Sequence, residues 1–95
     1  MRLFVRPEAE ADLRDAYQWY EDRRDGLGTE FVASVESTVL AILENPTRFP
    51  IVRHDVRRAL VRRFPFRVFL VAEPDEVVVL AILHAARHPD AWHRH

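Results

Sequence analysis

Residues 64–83 read FPFRVFLVAEPDEVVVLAIL, and this stretch decides the fold. Phe64, Phe66, Val68 and Leu70 alternate with Pro65, Arg67, Phe69 and Val71, the two-residue period of a strand with two partly apolar faces. Glu73-Pro74-Asp75-Glu76 is a turn. Val77 to Leu83 is an unbroken apolar run rich in valine, the pattern of a central strand buried on both sides. Two such runs flanking a short turn predict an antiparallel hairpin. Toward the N-terminus, Phe49–Asp55 and Val56–Leu60 read as short strands with polar interruptions.

Before Pro46 the period changes to that of a helix. Leu13, Ala16, Tyr17 and Tyr20 recur at i, i+3, i+4 and i+7, and Phe31, Val35, Val39, Ile42 and Leu43 form a second stripe. Pro7 suits a first helical turn, where its missing N–H costs nothing, and Glu8, Glu10 and Asp12 favour the positive end of the helix dipole. Gly26 is expected to cap the first helix and Gly28 to add a second break. Asn45-Pro46 ends the second helix, because the proline pushes Asn45 out of the helical region. A gap of about three residues makes the two helices an antiparallel hairpin. Leu3-Phe4-Val5 is a first strand ended by Pro7. The expected class is α+β in the order β-α-α-β-β-β, an antiparallel sheet packed against an N-terminal helical hairpin, in a single domain over residues 1–95.

The composition narrows the function. The chain has 95 residues and no cysteine, so disulfides and thiolate metal sites are excluded. No apolar run approaches the ~18 residues that span a bilayer, and the apolar start is too short for a signal peptide, so the chain is expected in the cytoplasm, away from membranes. The net charge of −1 hides an asymmetry: residues 1–47 hold five Arg against ten Asp/Glu, residues 48–95 nine Arg against five. The second half is therefore the expected face for an anionic partner. All fourteen basic residues are arginine, so no lysine serves as acid or base.

Several pieces then fall into a known order. They are Pro7-Glu8-Ala9-Glu10-Ala11-Asp12-Leu13, Trp19-Tyr20-Glu21, Gly26-Leu27-Gly28 with Phe31, and Asn45-Pro46 with Phe49-Pro50. Arg57-Arg58, Phe64-Pro65-Phe66-Arg67-Val68 and the ending His84-Ala85-Ala86-Arg87-His88-Pro89 with Trp92 complete the set. In this order and spacing the chain resembles the RelE/ParE superfamily of toxins from bacterial type II toxin–antitoxin pairs, its ParE-like branch in particular. The resemblance implies the same β-α-α-β-β-β fold and a two-gene operon. It also implies a small antitoxin with a DNA-binding N-terminus, whose acidic, disordered C-terminal segment wraps the helix hairpin and sheet in a hetero-oligomer. Free toxin would arrest growth. ParE-like members act on DNA gyrase; RelE-like members cut messenger RNA on the ribosome.

Metal-independent RNA cleavage needs a base for the 2′-hydroxyl, a cation for the charged phosphorane and an acid for the leaving oxygen. RelE-like members draw on lysines, arginines and a late tyrosine, or on a glutamate–histidine version. Here there is no lysine, and the only tyrosines, Tyr17 and Tyr20, lie in the first helix. A substitute set of Arg62, Arg63, Arg67 and Arg87 with His84 or His88 remains the alternative. His84 and His88 stand four apart, but Pro89 interrupts the segment and no carboxylate completes a ligand pattern, so neither metal nor cofactor is expected. Arg57, Arg58, Arg62 and Arg63 either anchor antitoxin carboxylates, contact a target, or simply charge an exposed hairpin edge against aggregation. Tyr20 continues the core stripe, whereas Trp19 lies off it and fits an antitoxin interface. Arg87 and Trp92 fit a target-facing surface, Trp92 alternatively pinning the tail.

Overall fold

The computed structural model describes residues 1–86. A strand β1 (Arg2–Val5) leads into helices α1 (Pro7–Arg23) and α2 (Leu27–Glu44). A 3-10 turn (Pro46–Arg48) follows, then strands β2 (Ile51–Arg53), β3 (Val56–Leu60), β4 (Phe66–Glu73) and β5 (Glu76–His84). The α+β class and the helical hairpin are as the sequence predicts. The segment 49–60 supplies two distinct strands, so four strands follow the helices.

The five strands form one sheet in the order β1-β5-β4-β3-β2. The hairpin read from residues 64–83 is present: β4 and β5 pair antiparallel from Phe66↔His84 to Glu73↔Glu76. The Val77–Leu83 run is central, flanked by β4 and β1. β1 departs from the expected antiparallel arrangement, running parallel to β5 with Phe4 opposite Val78. A short edge strand has no hairpin partner to dictate its direction, and here it takes the free edge of the most apolar strand.

Two faces of the sheet carry separate apolar clusters. Both helices pack on one face. Phe31, Val35 and Ile42 of α2 and Ala9 and Ala16 of α1 meet Ala59, Val68, Leu70, Val77, Val79 and Ile82. Tyr20 joins this layer, with ring centroids 5.2 Å from Phe31 and 5.0 Å from Phe64. On the opposite face Val56, Phe69, Ala81 and Leu83 are buried beside Val71 and Leu80. A bulge sets which β5 residue faces which way. Phe69 pairs with Ala81 but Leu70 pairs with Val79, so Leu80 is inserted and the alternation slips by one. Ile82 and His84 therefore join the helix side, and Leu83 the other.

Glycine does different work from that expected in the helix hairpin. Gly26 is the N-cap of α2, at φ 88°, while α1 ends one turn earlier with Arg24 N–H bonded to Tyr20 O. Gly28 is no break; it is buried in the first turn of α2. A Cβ there would lie 2.5 Å from the Tyr17 carbonyl oxygen, so only glycine permits this approach of the helices. Gly26 has no side chain with which to cap α2. The Glu21 carboxylate of α1 does so instead, accepting from Gly26 N–H at 2.8 Å and Gly28 N–H at 2.9 Å.

Candidate functional site

The arginines of β3 and the following loop are adjacent in sequence but not in environment. In a strand successive side chains point to opposite faces. Arg57 lies opposite Leu70 and turns to the helix side, where its Nη1 donates to the carbonyls of Thr47 at 3.0 Å and Phe49 at 2.8 Å. It staples the 3-10 turn to the sheet. Arg58 lies opposite Phe69 on the other face, and its buried Nε has no hydrogen-bond acceptor among the described residues. Arg63, at φ 72°, donates to Glu30 Oε1 at 3.0 Å, and Arg24 reaches the other oxygen of the same carboxylate at 3.3 Å. Hydrogen bonding from Arg63, with the charge of Arg24, holds the Glu30 carboxyl below its ordinary pKa. Arg62 is exposed beside Leu60, itself 61% exposed, and the edge strand β2 adds the exposed Ile51 and Val52.

A second feature lies at the far end of the sheet. A cleft of about 340 Å³ opens between α1 and the β4–β5 strand ends, walled by Trp19, Tyr20, Phe66 and His84 with Asp12 and Asp15. Its rings are contiguous: Trp19 to Tyr20 at 5.1 Å, Tyr20 to Phe66 at 6.0 Å and Phe66 to His84 at 5.3 Å. Burial pushes the Tyr20 hydroxyl pKa up, so it remains a neutral donor. Asp12 Oδ2 accepts from Ile82 N–H at 2.9 Å, tying α1 to β5 just past the bulge. His84 Nδ1 accepts from Ala86 N–H at 3.0 Å, so a neutral His84 carries its proton on Nε2.

Two of the described residues drawn for RNA cleavage, Arg67 and His84, are kept apart. Phe66 pairs with His84 and Arg67 with Leu83, which places His84 and Arg67 on opposite faces of the sheet. Arg62 lies in the loop between β3 and β4. His84 closes a strand and not a helix. Arg87, His88 and Trp92 lie outside the described residues. Within them, no group of three or more His, Asp or Glu side chains is placed to hold a metal, and no helix is long and apolar enough to cross a membrane.

The family model described as "ParE toxin of type II toxin-antitoxin system, parDE" matches residues 3–89. The chain belongs to the ParE toxin family. It is thus a toxin component of a type II toxin–antitoxin system, and such a system implies a cognate antitoxin. The fold is similar to a solved structure, the chromosomal ParDE TA system from P. aeruginosa, with a TM-score of 0.76 at 22% identity, covering 88% of this chain and 95% of that one. No curated protein matches the sequence.

Sequence reasoning placed the core side of this ParE-family chain well, Tyr20 included. It missed the cleft. Asp12 read only as an acid near the helix dipole, and Asp15 was not singled out. Their spacing of three along α1, with Trp19 one turn beyond Asp15, is the signal that puts them on one side of the helix.

Proposed function

We propose that an acidic antitoxin segment docks on the Arg58–Arg62 end of the sheet, and that the freed toxin arrests growth by binding DNA gyrase without breaking a covalent bond. The observation that carries the docking is the Arg58 guanidinium. A buried donor without an acceptor costs roughly 1–3 kcal/mol, and a charge-assisted bond to a carboxylate would recover it. Exposed Leu60, two residues along the same strand and on the same face, suits an apolar position of an amphipathic segment. Arg62 adds a second cation, and Trp19, 52% exposed, an aromatic contact on the hairpin. Arg57 and Arg63 act differently, as internal staples that present this surface. Arg87 and Trp92 are assigned to the target.

The complex is a cytoplasmic hetero-oligomer in which the antitoxin also carries the DNA-binding part, and the toxin, one domain over residues 1–95, needs no cofactor. The separation of Arg67 from His84 by the sheet, and the use of the His84 Nδ1 lone pair within the chain, support binding over RNA chemistry. Solo expression should arrest growth, and expression of the neighbouring small gene should relieve it. Purified toxin should inhibit gyrase supercoiling and leave ribosome-bound message intact. Message cleavage that is lost in His84→Ala would replace this reading with a ribonuclease. Antitoxin affinity unchanged in Arg58→Glu/Arg62→Glu would remove the docking surface.

A further inference from the structure

We propose that the outer edge of β1 pairs antiparallel with the same edge of a second copy of this chain, joining two five-stranded sheets into one. β1 is the last strand of its sheet, and no strand among the described residues covers its outer side. An uncovered strand edge is a template for pairing, and proteins ordinarily blunt it with charge or proline. The middle of this one is apolar instead: Leu3 is 41% and Phe4 50% exposed, with Met1 63% exposed beside them.

The hydrogen bonds fix which groups the edge offers. Arg2 N–H donates to Asp75 O and Arg6 N–H to Val79 O, both at 3.0 Å, so the even-numbered residues turn their main-chain groups toward β5. Main-chain groups alternate in direction along a strand, so the N–H and C=O of Leu3 and Val5 point outward. A two-fold axis normal to the sheet sets two β1 strands antiparallel, and only odd-numbered residues then exchange bonds. Leu3 opposite Met1 would set Arg2 against Arg2, and Leu3 opposite Val5 would set Arg2 against Arg6; like charges directly opposite each other destabilise. Val5 opposite Val5 would bring Leu3 to Pro7, which begins α1 and has no N–H. Leu3 opposite Leu3 avoids all of these. It places each Arg2 beside the second copy's Phe4 ring and each Met1 beside its Val5.

Charge around the edge favours a copy over an acidic segment. Arg2 lies 3.9 Å from Asp75 and Arg6 lies 3.6 Å from Glu8, so each arginine has a carboxylate of its own chain beside it. An acidic segment meets no net cation here, and two copies approach without net repulsion. The edge also lies across the sheet from Arg58 on β3, so antitoxin docking there leaves it open. A contact built on one four-residue strand belongs with interfaces below roughly 1,200 Å², which makes the dimer reversible and concentration-dependent.

The chain has no cysteine, so single-cysteine variants of the full-length toxin read the register directly. With Leu3 on the two-fold axis the paired Cα atoms lie about 5.5 Å apart, inside the range a disulfide spans. The two Phe4 residues are then offset along the strands and lie roughly 8 Å apart, beyond that range. Leu3→Cys should therefore cross-link under mild oxidation, and Phe4→Cys should not. In sedimentation equilibrium without antitoxin, the mass of the unsubstituted toxin should rise reversibly toward that of a dimer as concentration increases. Leu3→Pro removes an outward N–H and spares the bonds to β5, so it should stay folded by circular dichroism and self-associate about tenfold more weakly. Phe4→Lys, which sets a cation against Arg2, should weaken the dimer similarly and tests the edge even if Leu3→Pro unfolds the chain. A toxin that stays monomeric up to millimolar concentration, a dimer indifferent to the folded edge variants, or Phe4→Cys cross-linking as readily as Leu3→Cys overturns the proposal. So does protection of Leu3→Cys from cross-linking by equimolar antitoxin, which would give this edge to the antitoxin.

Discussion

Replacing Gly28 by Ala separates two opposing effects of known size. In an ordinary helix interior the change stabilises by about 1 kcal/mol, because alanine gains helix propensity. Here the new methyl would sit 2.5 Å from the Tyr17 carbonyl oxygen, 2.8 Å from Tyr17 Cδ1 and 2.9 Å from Glu21 Oε1. The first of these is backbone in the middle of α1 and can yield only if the helices move apart. Overpacking of this kind costs roughly 1–3 kcal/mol, and a rigid neighbour puts it at the upper end. The displaced Glu21 oxygen is the one that accepts from Gly28 N–H, so a capping bond worth about 1 kcal/mol is weakened as well. The net expectation is a loss of about 2–3 kcal/mol, which in a domain of this size lowers Tm by roughly 10–20 °C. Urea unfolding followed by circular dichroism should give a lower midpoint with an unchanged slope. Ser37→Ala, at an exposed position of the same helix, serves as the control and should gain a few tenths of a kcal/mol. Gly28→Ala as stable as the wild type, or more stable, would refute the claim that the helices touch through this glycine.

Other outcomes follow from the same contacts. Glu21→Ala leaves both Gly26 N–H and Gly28 N–H without their carboxylate and should cost about 1–2 kcal/mol in urea unfolding, with Glu21→Gln losing less. Arg57→Ala removes two bonds to main-chain carbonyls and should lower stability by about 1–2 kcal/mol while leaving antitoxin affinity nearly unchanged. Arg58→Leu should weaken antitoxin about tenfold in titration calorimetry and, by removing the buried donor that lacks an acceptor, should raise stability by about 1 kcal/mol in urea unfolding. Glu30 has a folded pKa depressed below its unfolded one, so its contribution is present above the ordinary carboxylate pKa and is lost as pH falls through the depressed value. Urea midpoints measured from neutral pH down through that acid range should fall less steeply in Glu30→Gln. High salt should shrink the difference, because the pair with Arg63 is largely exposed.

Much of the architecture was readable from local pattern. The two helical stripes and the hairpin at 64–83 are periodic signals, and periodicity follows from which face must leave water. The glycines of the helix connection were not readable, because their roles depend on where the other helix lies. Gly28 has the same local context whether it breaks a helix or lets one approach; only the Tyr17 carbonyl across from it decides. The arginines divide similarly. Arg57 and Arg58 look like one charge cluster in the sequence, yet the strand sends one to the 3-10 turn and the other to the opposite face.

The sequence by itself determined the class, the core stripes and the family, because each is carried by residue types at short, regular spacing. Tertiary structure alone decided the direction of β1, the Leu80 bulge and the cleft. β1 is an edge strand whose hydrogen bonds go to a partner some seventy residues away, and no local pattern encodes that pairing. The bulge inserts one residue and so reverses every later side chain of β5, carrying His84 to the side of Trp19, Tyr20 and Asp12. A simple alternation would have put it with Arg67 and drawn a different site.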